Sequence, residues 1–405
     1  MSQPAKPVDP LWKQLHWRFT AAQIGYPLFV VYNARAVPFL PATQLWTLIY
    51  TFITGLTITA GYHRLWTHHA YRAHFARDHR AHHRAHHRFV DTDRDPYNSR
   101  RGLFYSHIGW LLTYDRSTAW ARAAIDVSDL DADPVVVWQR RIYYPLATAT
   151  GFALPAAPVA PAEAGDGGGF LYAGCLRVVL TWHAAFCINS LAHWGWWWDG
   201  GGRSSSQPYG DSSSARDHGA LAALLTLGEA YHNFHHVFPA DYRNGVQRWA
   251  LDPTKWWIWG FERLGLASEV RRFSAAEVEM VRVQQMEREV RRRRVRLDWG
   301  REVREVPVLQ WGEFVEACER GGERWVVVNG VVHDVGEFMG RHPGGERLLQ
   351  SAVGKDATEW FSGGVYNHSQ VAMNILSTLR VAAIYGGGDV EGRLPPSIDV
   401  LDKSS

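Results

Sequence analysis

Four apolar stretches with little or no charge follow one another along the chain. Residues 36–62 carry no charged side chain over 27 positions, and residues 142–162 carry none over 21. Residues 167–198 contain Arg177 as their only formal charge. Because a helix needs roughly 20 apolar residues to cross a bilayer, this pattern predicts membrane-spanning helices. The predicted spans cover residues 20–40, 43–62, 142–162 and 172–194.

The first and third stretches also contain proline, which is uncommon inside helices. They are therefore compatible with buried core helices as well as with spans. Arginine is concentrated in residues 63–141, which hold 13 of them, while residues 163–169 hold two acidic residues and no arginine. The positive-inside rule then places residues 1–19, 63–141 and 199–405 in the cytosol, together with both termini.

The chain changes character after the last apolar stretch. Residues 263–305 are rich in charge and predict a helical linker, whose arginine run 291–294 fits either a solvated face or contact with anionic lipid headgroups. Residues 306–385 have the pattern of a small α+β domain, in which Asn329-Gly330 between two apolar runs predicts a β-hairpin. The predicted organisation is an N-terminal segment (1–19), a membrane domain (20–262), the linker, the small domain and a disordered tail (386–405).

Composition narrows the possible functions. Hydrophobic residues make up 46% of the chain and charged residues 20%, as in ordinary folded proteins. The net charge of +3 argues against nucleic acid as a partner. Three cysteines without close pairs predict free thiols in a reducing compartment. The unusual residue is histidine, because nine of the 20 lie between His63 and His87.

Histidines recur in short motifs at the cytosolic ends of the predicted spans. Residues at i, i+3 and i+4 share a helix face, so each H-x-x-H-H is expected to present three imidazoles to one point. Neutral imidazole binds Fe, Zn, Cu or Ni rather than Ca or Mg. The number of imidazoles in these motifs is large enough to bind two ions. The motif residues are His63 and His68, the run His79, His82, His83, His86 and His87, then Asn189 and His193, and finally His232, His235 and His236.

Three of these motifs, HRLWTH, HRAHH and HNFHH, resemble the histidine boxes of the membrane fatty-acyl desaturases. Their surroundings, including DTDRDPYNSRRGLFYSHIGWLL, FCINSLAH and GEAYHNFHHVFPADYRN, are similar to fungal acyl-CoA delta-9 desaturases with a C-terminal cytochrome b5-like domain. The resemblance covers about residues 12–385. It implies a mainly α fold, with a four-span membrane bundle, a cytosolic His-rich cap and a small α+β cytochrome b5-like domain.

The resemblance implies an enzyme of the endoplasmic reticulum membrane that removes two hydrogens from a saturated acyl-CoA with O2 and two electrons. Attack on an unactivated methylene group requires a redox metal, which agrees with a di-iron centre. Cytochrome b5 reductase with NADH and membrane lipid are the implied partners, and Arg100 and Arg101 match positions near the CoA group. The implied iron ligands are His63, His68, His83, His86, His87, His193, His232, His235 and His236, with Asn189 binding through water.

The small domain implies a second cofactor, haem b. His342-Pro343-Gly344-Gly345 resembles the haem-binding turn of cytochrome b5, and His368, 26 residues later, matches the second axial ligand. Two axial histidines leave no open position on the haem iron, so this haem is expected to carry electrons rather than to activate oxygen. His333 is expected to be a strand residue instead.

The chain departs from the family between the first two boxes. Relatives have an amphipathic helical segment there that helps to wall the acyl-CoA site, whereas only residues 70–78 remain here. The shortened segment therefore predicts a weak or inactive desaturase. The alternative functions are a catalytically inactive haem-bearing membrane protein and a lipid hydroxylase. The second box also aligns in two ways, and His79 and His82 are the alternative ligands.

Overall fold

The computed structural model describes residues 15–73, 80–113, 123–158, 167–194, 205–363 and 367–386. His79, most of the predicted N-terminal segment and the tail after residue 386 lie outside the described residues. The chain divides into two compact units, Met1–Arg288 and Glu289–Ser405.

Helices dominate the described part of the first unit, which also contains four two-residue strands. Several helices continue into wider π-helical turns, namely Thr57–Thr67, Tyr105–Gly109, Ala149–Ala153 and Gly169–Leu176. In chain order the elements are α1 (Trp17–Asn33), α2 (Pro41–Leu56), β1 (Arg72–Ala73), α3 (Arg80–Phe89), α4 (Trp110–Leu112), α5 (Ser128–Asp131), α6 (Pro134–Arg141), α7 (Tyr143–Thr148), α8 (Leu154–Ala156), α9 (Arg177–Asn189), β2 (Ser205–Ser206), β3 (Asp217–His218), α10 (Ala220–Leu225), α11 (His232–Val237), α12 (Pro253–Arg263), β4 (Ala267–Ser268) and α13 (Ala275–Val295).

Two continuous helices among the described residues are long and apolar enough to cross a membrane, Pro41–Thr67 and Gly169–His193. They correspond to the second and fourth predicted spans. The first predicted span forms the 17-residue α1, which contains Pro27. The third forms the succession of α7, a π-helical turn and α8, because prolines interrupt the regular hydrogen bonding.

These four apolar regions pack side by side. Tyr172 Oη donates a hydrogen bond of 2.6 Å to Val37 O, and Tyr26 stacks on Phe152 with ring centroids 5.9 Å apart. Trp46 Nε1 donates to Pro155 O at 2.8 Å, which ties α2 to the third region. The helical turns that follow the C-terminal ends of α2 and α9 carry histidines towards α3 and α11.

The second unit builds a four-stranded sheet with short helices around it. Its strand order is β5-β8-β7-β6, where β5 pairs with β8 in parallel and the other pairs are antiparallel. Asn329 and Gly330 have φ angles of 51° and 73°, so the predicted hairpin is confirmed with its turn where expected. The elements are β5 (Val308–Leu309), α14 (Trp311–Glu319), β6 (Trp325–Val328), β7 (Val331–Asp334), α15 (Glu346–Ala352), α16 (Thr358–Phe361), α17 (Gln370–Thr378) and β8 (Arg380–Ile384).

Candidate metal and haem sites

Nine histidines of the first unit converge in two groups, and in each group the potential ligand nitrogens all lie within 4.8 Å of one another. The two sets come from the C-terminal ends of the two long apolar helices and from α3 and α11. The five-histidine group contains His63, His68, His83, His87 and His235, and the four-histidine group contains His86, His193, His232 and His236.

Each H-x-x-H-H motif is divided between the two groups, which differs from the expectation that its three imidazoles meet at one point. On α3, His83 and His87 join the five-histidine group while His86 joins the other. On α11 the division is reversed, because His235 alone joins the five-histidine group. Neighbouring residues on a helix are about 100° apart, so the i and i+4 side chains stay together and the i+3 side chain turns away.

The spacing of the nitrogens fits metal coordination. His235 Nε2 lies 3.0 Å from His63 Nε2 and 3.0 Å from His87 Nε2. In the other group, His232 Nε2 lies 2.9 Å from His193 Nε2 and 3.1 Å from His236 Nε2. Two imidazoles bound at about 2.1 Å to adjacent corners of an octahedral ion would be about 3.0 Å apart. In addition, His68 Nε2 is buried without a hydrogen-bond partner, as a metal ligand would be.

Burial keeps six of these imidazoles in the neutral form that binds metal. Loss of hydration lowers their pKa values well below 6.5, and repulsion by neighbouring histidines adds to the effect. The histidines outside the long apolar helices that show this lowered pKa are His68, His83, His87, His232, His235 and His236.

The second ring nitrogen of several cluster histidines is held by a buried polar group. His63 Nδ1 lies 2.7 Å from Glu229 Oε2, and His86 Nδ1 lies 2.9 Å from Asp95 Oδ1. His83 Nδ1 contacts Tyr97 Oη and His193 Nδ1 contacts Ser214 Oγ, both at 2.8 Å. Such contacts fix the tautomer that leaves Nε2 as the ligand atom, and they make the imidazole a stronger electron-pair donor to a metal.

Glu229 is the centre of a buried charge network behind His63. Arg64 Nη2 donates to Glu229 Oε1 at 2.9 Å and to Asp252 Oδ1 at 2.9 Å, and Asn244 Nδ2 donates to Glu229 Oε2 at 2.7 Å. Burial alone would raise the pKa of Glu229, but attraction to His63 and Arg64 outweighs burial and holds the pKa at about 2. Sequence reasoning assigned no role to Glu229 or Asp95, although both stand a few residues from a histidine box.

Glu229→Gln is expected to weaken iron binding by the five-histidine group about 10- to 100-fold, because His63 loses its anionic hydrogen-bond acceptor. The measurement is competition for ferrous iron against a chelator, with far-UV circular dichroism to check folding. Glu279→Gln, at a more than half-exposed carboxylate, is the matched control. Equal iron affinity in the folded variant and the parent would show that Glu229 does not support the site.

The remaining predicted site residues lie outside both groups. Asn189 ends α9, half-buried and one turn before His193, and His82 places its ring 5.8 Å from Trp110. Arg100 and Arg101 are exposed, and the Arg101 guanidinium stacks 3.7 Å from the Tyr105 ring centre.

An open cavity of about 500 Å³ borders the first histidine motif. Trp66 and Tyr71 line one side of it, and Leu130 and Leu266 line another. After Tyr71 the chain forms β1, which pairs with β4 at the edge of this cavity. The cavity lining therefore combines apolar side chains with His69, the residue that follows His68 of the five-histidine group.

The second unit brings His342 and His368 face to face. Their ring centroids are 6.5 Å apart with an interplanar angle of 23°. Two imidazoles bound at about 2.0 Å on opposite sides of one iron would have centroids about 6.3 Å apart. His342 Nδ1 lies 3.2 Å from Gly345 O, and His368 Nδ1 lies 2.9 Å from Phe361 O, so the Nδ1 atom of each ring contacts a backbone carbonyl.

The turn around His342 also leaves room for a flat ring. A Cβ atom at Gly344 would come within 2.9 Å of His342 Cε1 and push the imidazole away. Phe361 stacks on His368 with ring centroids 4.2 Å apart and belongs to an apolar cluster that includes Val335 and Met339. These residues fit a haem held by two axial histidines.

His333 lies on β7 as a strand residue, as predicted, and its Nδ1 contacts Leu376 O at 2.8 Å. Burial lowers its pKa to about 4.

Because the unfolded chain binds a proton at His333 below about pH 6.5 and the folded unit does not until about pH 4, the free energy of unfolding should fall as pH drops through this window. We expect the 289–405 unit to lose about 2 kcal/mol between pH 7 and pH 5 in urea unfolding. His333→Gln, measured in parallel, should lose this part of the pH dependence. An identical pH slope in both proteins would rule out His333 as its source.

Comparison with known proteins agrees with this architecture. Residues 74–267 match the model of the family "Fatty acid desaturase", and residues 310–384 match "Cytochrome b5-like Heme/Steroid binding domain". The "Probable acyl-CoA desaturase" of Schizosaccharomyces pombe is 40% identical over 401 residues, covering 94% of this chain and 80% of the relative. The chain belongs to the acyl-CoA desaturase family.

Other members of the desaturase family align over similar regions. "Acyl-CoA desaturase 1" of Saccharomyces cerevisiae is 38% identical over 397 residues, covering 92% of this chain and 74% of that protein. Human "Stearoyl-CoA desaturase" is 35% identical over 262 residues, covering 58% of this chain and 68% of the human protein. The desaturase family is di-iron and cytochrome b5 domains bind haem, so the two histidine groups and the His342–His368 pair fit the cofactors of the family.

Proposed function

We propose that this chain is an acyl-CoA delta-9 desaturase that introduces a cis double bond into a saturated fatty acyl-CoA with O2. The observation that carries the proposal is the convergence of nine buried or half-buried imidazoles into two groups with metal-ligand spacing. In the overall reaction a CH2–CH2 unit, O2, two electrons and two protons give CH=CH and two waters.

The iron ligands in this proposal are the nine histidines of the two groups, with Asn189 binding through water. Two bound iron ions would supply the O2-dependent oxidising chemistry that an unactivated methylene group requires. The protein's own contribution is to hold the imidazoles in place, through Glu229 on His63 and Asp95 on His86. Because His82 lies outside both groups, the geometry favours the His83, His86 and His87 alignment over His79 and His82.

The cytochrome b5-like unit would deliver electrons through a haem b held by His342 and His368. Cytochrome b5 reductase with NADH is the proposed source of those electrons. Arg100 and Arg101 are proposed to bind the CoA group, since both cations are exposed on one turn after Asn98. Asn98 caps this turn by accepting a hydrogen bond from Arg100 N at 2.9 Å.

We further propose a multi-pass protein of the endoplasmic reticulum membrane with four spans and both termini in the cytosol. Exposed apolar side chains on α1, such as Leu28 and Val31, support α1 as a span beside the two long apolar helices. The domain limits proposed are residues 20–262 for the desaturase domain, 263–305 for the linker and 306–385 for the haem domain.

Feeding deuterated stearoyl-CoA precursors to a desaturase-deficient host that expresses this chain tests the proposal. Mass spectrometry of the lipids should find labelled cis-9 unsaturated product, at a low level if the shortened segment impairs activity. The His235→Ala variant should yield none. A labelled hydroxy acid instead would favour the hydroxylase alternative, and no product from an iron-loaded protein would favour the inactive one.

A further inference from the structure

Helix α12 turns aromatic side chains outwards. Trp256, Trp257 and Trp259 are 39%, 38% and 47% exposed, whereas Lys255 and Ile258 of the same helix are buried. A helix on a solvated surface has the reverse pattern, with its apolar stripe facing the core. Although Ile258 packs in the core as expected, α12 therefore exposes large aromatic side chains where a helix in water would carry polar ones.

Helix α10 extends this apolar surface. Leu221, Leu224 and Leu225 all lie on its outer side and are exposed. The loop that follows α10 contacts the start of α12, where Thr254 Oγ1 donates a hydrogen bond of 2.8 Å to Leu227 O. We define the exposed apolar side chains of α10 and α12 as the tryptophan face. Contiguous apolar patches of this kind on a protein surface mark sites of interaction.

The segments that carry the tryptophan face pack against the C-terminal end of α2 and its π-helical continuation. Thr59 Oγ1 and Thr254 Oγ1 are 2.7 Å apart, and Leu227 packs so closely on Gly55 that a Cβ there would come within 2.5 Å of its Cδ1. Lower on α2, Leu48 is exposed as part of the side proposed to face lipid. The tryptophan face therefore continues the lipid-facing surface at the point where the span reaches the cytosol.

Cations border the tryptophan face, and the nearby loop adds another tryptophan. The Arg263 guanidinium lies 5.4 Å from the Trp259 ring centre, and Arg248 lies 5.2 Å from that of Trp249, which is 80% exposed. Lys255 Nζ donates to Gly245 O at 2.7 Å and so fixes the loop that carries Trp249. Tryptophan and arginine together suit the headgroup level of a bilayer, where indole rings settle and cations meet phosphates.

We propose that the tryptophan face lies in the headgroup region of the lipid bilayer, with α10 and α12 resting along the membrane surface beside α2. This inference rests on the membrane placement proposed above. Because α11 lies between α10 and α12 in the chain, the contact would tie the helix that carries His232 and His235 to a fixed height above the bilayer. Continuity with α2 and the bordering arginines favour lipid over a second copy of the chain.

A fluorescent reporter tests this placement in the full chain, loaded with iron and haem and reconstituted in lipid nanodiscs. A nitrobenzoxadiazole group is attached at Trp259→Cys, or separately at Leu264→Cys, after Cys187 and Cys318 are replaced by Ser. Leu48→Cys is the control for lipid contact, and Glu279→Cys, on the exposed side of α13, is the control for water. Iron content and the haem spectrum verify that each labelled protein is folded.

Nitroxide lipids labelled near the headgroup should quench the reporters at 259 and 264 at least fivefold more than the reporter at 279. Aqueous iodide should quench them at least fivefold less. Strong iodide quenching at both positions would place the tryptophan face in water and overturn the proposal. Protection from iodide without nitroxide quenching would show protein on the face, such as a second copy, and would also overturn it. A reporter at 48 that nitroxide lipid does not quench would instead refute the proposed span.

Discussion

His232→Ala, His235→Ala and His236→Ala are each expected to abolish double-bond formation, with product falling at least about 1000-fold, which corresponds to about 4 kcal/mol of barrier. His235 is central to the five-histidine group because its Nε2 lies 3.0 Å from both His63 Nε2 and His87 Nε2. Removing this imidazole leaves a buried gap that no other described side chain fills. The measurements are labelled product and non-haem iron per chain.

His82→Ala is the matched control, because His82 shares α3 with three cluster histidines but lies outside both groups. It should retain iron and activity, whereas His86→Ala should lose both. Haem content should stay constant in all variants. If His82→Ala lost iron while His86→Ala kept it, the second box would have the other alignment. Unchanged iron in all three α11 variants would contradict the assigned site.

Inserting the family's amphipathic segment after Tyr71 is expected to raise unsaturated product at least tenfold, or about 1.4 kcal/mol of barrier. The present connection leaves His69 at a φ of 51° and then pairs β1 with β4 beside the open cavity. Apolar Trp66 and Leu266 border that cavity, so an amphipathic helix has a surface to cover. Closing the site would exclude water from the acyl chain and favour its dehydrogenation.

The assay is complementation of a desaturase-deficient host, with fatty-acid analysis of its lipids. A flexible Gly/Ser insertion of the same length is the control, since it lengthens the connection without supplying an apolar wall. It should give no increase. Full rescue of the host by the unaltered chain would show that the segment is dispensable here.

Local signals predicted local structure well. Asn329-Gly330 predicted the hairpin of the second unit because only a few residue types tolerate two consecutive positive φ angles. The histidine motifs likewise indicated which residues would gather around metal. Their division between two groups was missed because "one face" treats i+3 and i+4 as equivalent, although they are about 100° apart.

Long-range partners were beyond sequence reasoning. The Arg64–Glu229 ion pair joins residues 165 positions apart, and the Asp91 carboxylate that accepts from Ser214 Oγ at 2.6 Å is 123 positions away. No local pattern reveals such pairs, because they form only when α2 and the segment before α11 are packed together. Proline leaves the status of the first and third apolar stretches open, and among the described residues only the second and fourth stretches form helices of spanning length.

The most direct test of the central claim is the iron content of the purified full chain. Elemental analysis combined with the haem absorbance should give two non-haem irons and one haem per chain. Both non-haem irons should fall sharply in His235→Ala and His232→Ala, while His342→Ala should remove only the haem. A chain that folds, binds haem and holds no non-haem iron when supplied with ferrous iron would contradict the account of the two histidine groups.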